Sequence, residues 1–160
     1  MNNQTAKIVA PFNPKLLDVR FSWWGVKRKR IQVPEGWVAL PKADLYIDAR
    51  VIPEKGINGV DGASPEFQAG VIARAPETIK RMVDTVIGGL ALIGDRRREK
   101  DPYEDPVEVC FFCAYGIHRS KASALIVADR LRKLGYKIQT QKLESYITTL
   151  THKIPLVHKF

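Results

Sequence analysis

The chain is poor in cysteine and lacks long apolar runs. Its 160 residues include only two cysteines, Cys110 and Cys113, whereas a small secreted disulfide scaffold carries more. No apolar stretch reaches the roughly 20 residues of a membrane-spanning helix, and residues 1–5 lack the basic-then-apolar order of a signal peptide. These features exclude a disulfide scaffold and a membrane span, and they predict a cytoplasmic protein with reduced thiols and no membrane partner.

Acidic residues are also scarce relative to basic ones. The chain has 17 Asp and Glu against 26 Lys and Arg, which gives a net charge of +9. Such a balance favours anionic partners, first of all nucleic acid and phosphorylated metabolites, although a basic surface that serves only solubility is the alternative. Apolar residues make up 45% of the chain, which excludes a disordered tail and is enough for the core of one domain.

Patterns typical of strands alternate with patterns typical of helices. Residues 1–15 are polar and contain two prolines, and they are interpreted as an extended lead-in to a single domain over residues 16–160. The alternation predicts an α/β fold with a mainly parallel sheet and flanking helices. The predicted strands are residues 16–24, 31–33, 45–52, 107–112 and 137–143, and the predicted helices are residues 76–98 and 120–134.

Three other features are less regular. Residues 54–70 are rich in Gly, Pro and Asp and are predicted to form a long loop, a kind of segment that is often functional. Gly88 and Gly89 interrupt the first helical pattern, which predicts a bend or a close packing contact there. Residues 144–160 mix charged and apolar side chains and receive no assignment.

The junction between the strand at 107–112 and the helix at 120–134 carries the main functional signal. The first backbone N–H groups of a helix lack partners within the helix, and the helix dipole adds partial positive charge, so such a junction attracts anions. Gly116 permits close approach or a positive φ, Arg119 offers a fork for two phosphate oxygens, Ser120 can cap the helix, and His118 adds a donor. A capped helix with a buried arginine is the structural alternative. The sequence predicts a phosphate-binding loop formed by Cys113, Ala114, Tyr115, Gly116, Ile117, His118, Arg119 and Ser120.

The same segment also matches a catalytic pattern. Cys113, five intervening residues, Arg119 and a serine reproduce the C-x5-R-[ST] signature of cysteine-dependent phosphatases. In these enzymes a thiolate attacks phosphorus while the arginine and loop amides hold the equatorial oxygens. The preceding residue is Phe112 rather than histidine, and the sequence singles out no leaving-group acid, although Asp101 and Asp105 in the preceding loop could swing over. Catalysis by Cys113 and Arg119 therefore stays an alternative to binding alone.

The two cysteines form a C-x-x-C pattern, which in other sequences indicates a redox pair or a pair of zinc ligands. On a strand, residues three apart point to opposite faces of the sheet, and this geometry suits neither a disulfide nor a shared metal. A structural zinc site also needs four ligands, and the sequence has no second cysteine pair. The sequence therefore predicts no metal and no cofactor.

The loop resembles that of a known family. It is similar to the G-C-T-G-G-x-H-R-S loop of the RapZ C-terminal domain, through Cys113, Gly116, His118, Arg119 and Ser120. Asp48 and Arg50 match the family's D-x-R strand, residues 58–61 resemble its T-G-x-D turn, and residues 21–25 stand where the family has an S-F-G-like stretch. The resemblance covers about residues 20–145 and implies that Asp48 and Arg50 join the loop in binding the ligand.

Full-length members of this family are bacterial RNA-binding adaptors that present a small regulatory RNA to an endoribonuclease and sense an amino-sugar phosphate. The resemblance implies RNA, a phosphorylated small molecule and a ribonuclease as partners. Ala114 and Tyr115 replace the family's Thr and Gly, which removes a hydroxyl donor and adds a bulky ring. The sequence contains no G-x-x-x-x-G-K-[ST] motif of an ATP-binding domain, so it resembles a stand-alone version of the family's second domain.

A basic cluster follows two tryptophans near the first strand. Trp23 and Trp24 precede the run Lys27, Arg28, Lys29 and Arg30, and aromatic faces beside cations suit looped or single-stranded RNA. The alternative is a solvated charged face next to core tryptophans. Three functions remain: a non-enzymatic binding module for RNA or a phosphorylated metabolite, which the resemblance favours, a cysteine-dependent phosphatase, and a structural domain in which Tyr115 fills a vestigial loop.

Overall fold

A computed structural model describes residues 10–27, 37–53, 55–57, 61–142 and 151–155. Two short 3-10 turns span Pro14–Leu16 and Ala49–Val51. Of the predicted lead-in, residues 10–13 have no regular structure and Pro14 begins the first turn. The longer elements, in chain order, are β1 (Asp18–Gly25), β2 (Trp37–Pro41), β3 (Leu45–Asp48), α1 (Pro65–Arg74), α2 (Pro76–Arg96), β4 (Val107–Cys113), α3 (Arg119–Lys133), β5 (Lys137–Lys142) and β6 (Thr151–Pro155).

Four strands form the central sheet in the order β3-β4-β1-β5, and all three neighbouring pairs are parallel. Helices α1 and α2 connect β3 to β4, and α3 connects β4 to β5, because parallel neighbours need crossover connections. The structure therefore confirms the α/β fold with a mainly parallel sheet. The carboxyl ends of β1, β3 and β4 lie at one edge, where open α/β sheets bind their ligands.

The helices cover one face of the sheet. Phe21 on β1 and Phe111 on β4 are fully buried in this layer, with their ring centroids 5.0 Å apart. Burying one such side chain stabilises the fold by about 1.5–3 kcal/mol. Helix α2 contributes the apolar stripe that its spacing predicts, with the buried side chains Ile79, Met82, Val83, Val86, Leu90 and Ile93.

The antiparallel pair of β2 and β6 lies over the opposite face of the sheet. The Trp24 indole N–H donates to the Ala39 carbonyl at 3.1 Å, and this side holds a second apolar cluster of Trp24, Leu40, Cys110 and Phe112. The sequence did not predict this pair, since residues 144–160 had no assignment and β2 fell between two predicted segments. The strand predicted at residues 31–33 lies outside the described residues.

The predicted loop over residues 54–70 is wrong in its second half, which belongs to α1. The helix begins at Pro65, because proline suits the first turn and the Ser64 hydroxyl accepts the Phe67 backbone N–H at 3.1 Å. Phe67 and Val71 are its buried residues. With only two buried residues and a glycine, α1 has a weak helical pattern. The Gly, Pro and Asp content of the segment therefore suggested a loop.

The strand predicted over residues 45–52 is too long, since β3 ends at Asp48. The Asp48 carboxylate accepts the backbone N–H of Arg50 at 2.9 Å. This bond caps the 3-10 turn that follows, and the chain therefore leaves the sheet four residues earlier than predicted. Ala49 in the turn and Ile52 just after it are fully buried without extending the strand, whereas Val51 is half exposed.

Helix α2 runs through Gly88 and Gly89 as one element of 21 residues. The expectation of close packing holds at Gly89, where a Cβ would lie 3.0 Å from Leu45 Cδ2. Despite its length, neither α2 nor any other helix in the described ranges is apolar enough to cross a membrane.

Candidate functional site

The predicted phosphate loop joins β4 to α3 at the carboxyl edge of the sheet. Cys113 ends the strand and Arg119 begins the helix. Gly116 has a φ of 71°, in the left-handed region that glycine adopts without steric cost. The first turn of α3 contains no acidic residue, so no carboxylate of the helix itself offsets the partial positive charge at its N-terminus.

The Cys113 side chain lies under the loop, with 3% of the residue exposed. Its sulfur accepts the Gly116 backbone N–H at 3.2 Å, and its thiol donates to Ser120 Oγ at 3.1 Å. Ser120 does not cap α3 as predicted, because it is the second residue of the helix and His118 occupies the cap position. The buried serine instead holds the sulfur.

Two glycines from other segments pack against the backbone of the loop. A Cβ at Gly25, the last residue of β1, would lie 2.7 Å from Gly116 N and even closer to the Tyr115 carbonyl. On the helix side, the Gly62 N–H donates to the Ile117 carbonyl at 3.0 Å, and a Cβ at Gly62 would meet backbone atoms of the loop and of α3. The loop is therefore wedged between β1 and the segment before α1.

Arg119 points toward the turn after β3. Its Nη1 donates to the Arg50 carbonyl at 2.9 Å and to the Ile52 carbonyl at 3.3 Å. These bonds tie the start of α3 to the neighbouring strand. Arg119 thus has the structural role that the alternative of a buried arginine predicted, whatever else it binds.

Asp48 and Arg50, which the resemblance implied as ligand-binding residues, bind each other. The Asp48 carboxylate accepts Arg50 Nε at 2.9 Å and Arg50 Nη2 at 2.7 Å, a bidentate pair of fixed geometry. The Arg50 guanidinium also lies 5.1 Å from the centroid of the Phe112 ring. The structure brings the pair next to the loop through the Arg50 carbonyl that Arg119 binds.

A second ion pair adjoins the loop, with Lys121 Nζ 2.8 Å from Asp61 Oδ1. The Lys121 hydrogen bond, and after it the Ala63 backbone N–H, holds the pKa of Asp61 below its usual value, and the charge of His118 acts in the same direction. The imidazole of His118 packs on the Phe67 ring at 5.6 Å between centroids. Asp61 therefore carries its negative charge at neutral pH, paired with a lysine of α3.

Tyr115 projects from the loop with 55% of the residue exposed, so its ring does not fill the loop. Lys27 Nζ lies 5.9 Å from the centre of the Tyr115 ring, and the Lys27 backbone N–H donates to the Ala114 carbonyl at 2.7 Å. The chain after β1 thus stays attached to the loop. The rest of the predicted basic cluster lies outside the described residues, namely Arg28, Lys29 and Arg30.

Trp23 and Trp24 are not surface platforms for bases. They are 8% and 2% exposed, and they belong to the apolar layers on opposite faces of the sheet. Both rings are core side chains, as the alternative of core tryptophans predicted, because the end of β1 lies between two packed layers. Lys121 Nζ is 5.8 Å from the Trp23 ring, so this contact joins the second ion pair to the core.

A small hollow opens at the loop, lined by Cys113, Tyr115, His118 and Arg119. Its volume of about 10 Å³ is close to the space that one water molecule requires and far below that of a typical ligand pocket. The hollow is therefore too small to enclose a phosphate group. A larger cavity of about 270 Å³ lies between β3 and α2, with Asp48 on its wall.

A scan of the chain against protein-family models finds no matching family, and a search of curated proteins finds no match. The resemblance to the RapZ C-terminal domain stays a prediction that rests on the residues quoted for it. The function is therefore inferred from the geometry of the loop and its neighbours.

The other candidates for chemistry lie away from the loop. Asp101 and Asp105 precede β4, whose 7 residues separate them from Cys113 by roughly 20 Å. Cys110 and Cys113 are free thiols on opposite faces, as predicted, and burial raises the pKa of Cys110 to about 12. Across the described ranges, no three His, Cys, Asp or Glu side chains lie close enough together to hold a metal ion.

Four residues of the site were not predicted as site residues. Gly25 and Asp61 are the last residues of segments 21–25 and 58–61, which the resemblance already matched. Their positions in those segments could have identified them as site residues. Gly62 follows directly and shares that signal. Lys121 had none, because a lysine one residue after the motif has no distinguishing pattern until the fold brings Asp61 beside it.

Proposed function

We propose that the chain is a binding module that recognises phosphate groups of RNA or of a phosphorylated metabolite through residues 113–120, without chemical turnover. The observation that carries the proposal is the hollow at the start of α3, which His118 and Arg119 line. Backbone N–H groups at a helix N-terminus, together with an arginine fork, are a common means of phosphate recognition.

The charges around the hollow support an anionic ligand. Among the described residues, two carboxylates adjoin the site, and each is paired with a cation, Asp48 with Arg50 and Asp61 with Lys121. Their negative charges are therefore compensated locally. Lys27, the loop arginine and the net charge of +9 add attraction for anions at short and long range.

Binding without turnover fits the carboxylates described above. Transfer of a phosphoryl group to a thiolate needs an acid to protonate the leaving group. Asp61 is held in its charged form by Lys121, and Asp48 is bound by an arginine. Asp101 and Asp105 lie at the opposite edge of the sheet. Of these four carboxylates, two are therefore engaged by cations and two are distant from Cys113.

Calorimetric titration with inorganic phosphate, a phosphorylated sugar, a mononucleotide and a short RNA tests the proposal. At least one phosphorylated ligand is expected to bind with an affinity that falls as salt rises. His118→Ala and Arg119→Ala should each weaken that binding by about tenfold or more. Arg97→Ala is the matched control, because Arg97 also donates to backbone carbonyls but lies far from the loop. Lack of binding by all four ligands, or an equal loss in the control, contradicts the proposal.

A cysteine-dependent phosphatase is the second candidate, and the contacts of the Cys113 sulfur favour it. The Gly116 N–H and the Ser120 hydroxyl both lie within 3.2 Å of the sulfur, as groups that orient an attacking thiolate do. The thiolate would attack phosphorus and release the alcohol, and water would then release phosphate. Turnover of an aryl phosphate should vanish in Cys113→Ser and persist in Cys110→Ser. Equal turnover in wild type and Cys113→Ser rejects this candidate.

The resemblance to the RapZ C-terminal domain extends the proposal to a role and a partner. We infer an RNA adaptor or regulatory role in the cytoplasm, with a ribonuclease as partner and an amino-sugar phosphate among the candidate ligands. The support is that Asp48 and Arg50 lie beside the loop, as the matched motifs require. The measurement is RNA affinity with and without glucosamine 6-phosphate. An RNA affinity that this ligand does not alter counts against the regulatory role.

A further inference from the structure

The hollow at the loop is too small to enclose more of a ligand than an oxygen or two of its phosphate. Its volume of about 10 Å³ matches roughly one water molecule, whereas enclosing a sugar or a base takes several hundred Å³. The organic part of any phosphorylated ligand must therefore lie on the surface beside the hollow. The character of that surface decides which ligands gain affinity beyond the phosphate.

The surface beside the hollow is aromatic. Tyr115 lines the hollow and leaves 55% of its surface in solvent. Its backbone is held by the close approach of Gly25, and the neighbouring Ala114 carbonyl accepts the Lys27 N–H. A ring on a fixed backbone has only two side-chain torsions to order, so stacking on it costs little entropy.

We propose that the site takes a nucleoside phosphate, with the base stacked on the Tyr115 ring and the phosphate at the mouth of the hollow; this inference rests on the proposed function. A flat base gains affinity from an aromatic side chain, by about 5- to 150-fold per stacked base. A sugar has no π face to stack. Lys27 Nζ lies over one face of the ring, 5.9 Å from its centre, so the base would stack on the opposite face.

Base stacking would also account for the tyrosine at position 115, where the motif that this loop resembles has a small residue. The position that carries a small, flexible residue in the family is Tyr115 here. A tyrosine ring without a role at the surface would stabilise the fold more if it packed into the core, because burying a side chain of that size is favourable. This ring instead lies at the rim of the hollow, where it can contact a ligand.

Calorimetry on the full chain with AMP, glucosamine 6-phosphate and inorganic phosphate tests the inference. AMP should bind about 5- to 150-fold more tightly than the other two. Tyr115→Ala should abolish the preference for AMP over inorganic phosphate, whereas Tyr115→Phe should retain that preference. Base protons of AMP should shift upfield in NMR spectra of wild type and Tyr115→Phe only. Unfolding midpoints verify that both variants fold, as expected for a mostly exposed side chain.

Two results separate failure of this inference from failure of the proposed function. Equal affinity for AMP and glucosamine 6-phosphate, or AMP binding that Tyr115→Ala does not weaken, overturns the nucleoside assignment and leaves phosphate binding intact. Lack of binding by all three ligands overturns both.

A nucleoside phosphate occurs as a free nucleotide and as the phosphorylated end of an RNA strand. A short 5′-phosphorylated RNA and the same RNA without that phosphate distinguish the two sources. Tighter binding of the phosphorylated RNA than of AMP identifies the strand end as the ligand, and equal or weaker binding identifies the free nucleotide. RNA binding that ignores both the 5′ phosphate and Tyr115→Ala contradicts recognition at this site.

Discussion

Two arginines hold the two edges of the same sheet in the same way. At the amino edge, Arg97 donates three hydrogen bonds of 2.6–3.2 Å to backbone carbonyls of the loop before β4. At the carboxyl edge, Arg119 likewise donates to backbone carbonyls after β3, at 2.9 and 3.3 Å. An arginine bound to carbonyls is therefore no sign of an anion site by itself, even inside a matching motif.

The surroundings of the two arginines differ. The amino edge is closed by packing, with the Phe12 and Tyr103 rings stacked at 5.5 Å and the Tyr103 hydroxyl accepting the Asn13 N–H at 2.8 Å. The carboxyl edge carries the hollow, an exposed tyrosine and the start of a helix. What marks a candidate ligand site is this combination of accessible donors and positive charge.

The largest expected effect tests whether close backbone packing shapes the carboxyl edge. In Gly25→Ala, the new Cβ would displace backbone atoms of Tyr115 and Gly116, and we expect the free energy of unfolding to fall by about 3 kcal/mol or more. Gly88→Ala is the matched control, because among the described residues nothing lies within 4 Å of a Cβ there. That helical substitution should stabilise the chain by about 1 kcal/mol. Urea unfolding measures both, and a neutral Gly25→Ala contradicts the packing.

The two arginines can be compared directly by truncating each one. Arg97→Ala and Arg119→Ala should each lower the free energy of unfolding by about 1.5–3 kcal/mol, since both lose charged hydrogen bonds to backbone carbonyls. If a phosphorylated ligand binds as proposed and raises the melting temperature, Arg119→Ala should abolish that rise and Arg97→Ala should retain it. A ligand response that survives in Arg119→Ala would make the two arginines equivalent structural residues.

The carboxyl edge could be predicted from sequence because its signals are local. A β-prone run, the loop motif around Gly116 and Arg119 and an apolar helix follow one another without a gap, and each constrains the next. The alternation of such units also indicated the parallel sheet. The helical stripe of α2 is similarly local, since side chains three and four residues apart share a face.

The remaining features depend on contacts between distant segments. The β2–β6 pair joins residues more than 100 positions apart, and α1 is stabilised by a short capped turn rather than by a long periodic pattern. The same holds inside the site, where Arg119 reaches carbonyls 67 and 69 residues away. Trp23 and Trp24 had aromatic character and adjacent charge, but their burial follows from layers that the local sequence does not specify.

The two cysteines of β4 allow the stability cost of the same substitution to be compared between the packed interior and the polar loop. Cys110→Ser places a hydroxyl in the apolar cluster of Trp24 and Phe112, beside the Ser22 hydroxyl and a Phe111 carbonyl that lies 3.8 Å from the sulfur. We expect a loss of about 1–3 kcal/mol from the cost of burying the hydroxyl. Cys113→Ser keeps a polar atom beside the Gly116 N–H and the Ser120 hydroxyl, so we expect a loss under about 1 kcal/mol. Urea unfolding of the two variants gives the order, and a larger loss in Cys113→Ser contradicts the contacts described for its sulfur.

The smallest expected effect concerns the Asp61–Lys121 pair, which has no counterpart among the contacts described for Arg97. The pKa of Asp61 in the folded chain lies below its ordinary value of 3.8, so the pair stabilises the fold fully above about pH 4 and loses its contribution as pH falls through the lowered pKa. Because 43% of the Asp61 side chain is exposed, the contribution is at most about 1 kcal/mol. The difference in unfolding free energy between wild type and Asp61→Asn should therefore be present at pH 6 and vanish under strongly acidic conditions. A difference that persists after Asp61 is protonated would mean that the aspartate stabilises the fold through its shape and hydrogen bonds. Its charge would then give the carboxyl edge no more pH dependence of stability than the amino edge has.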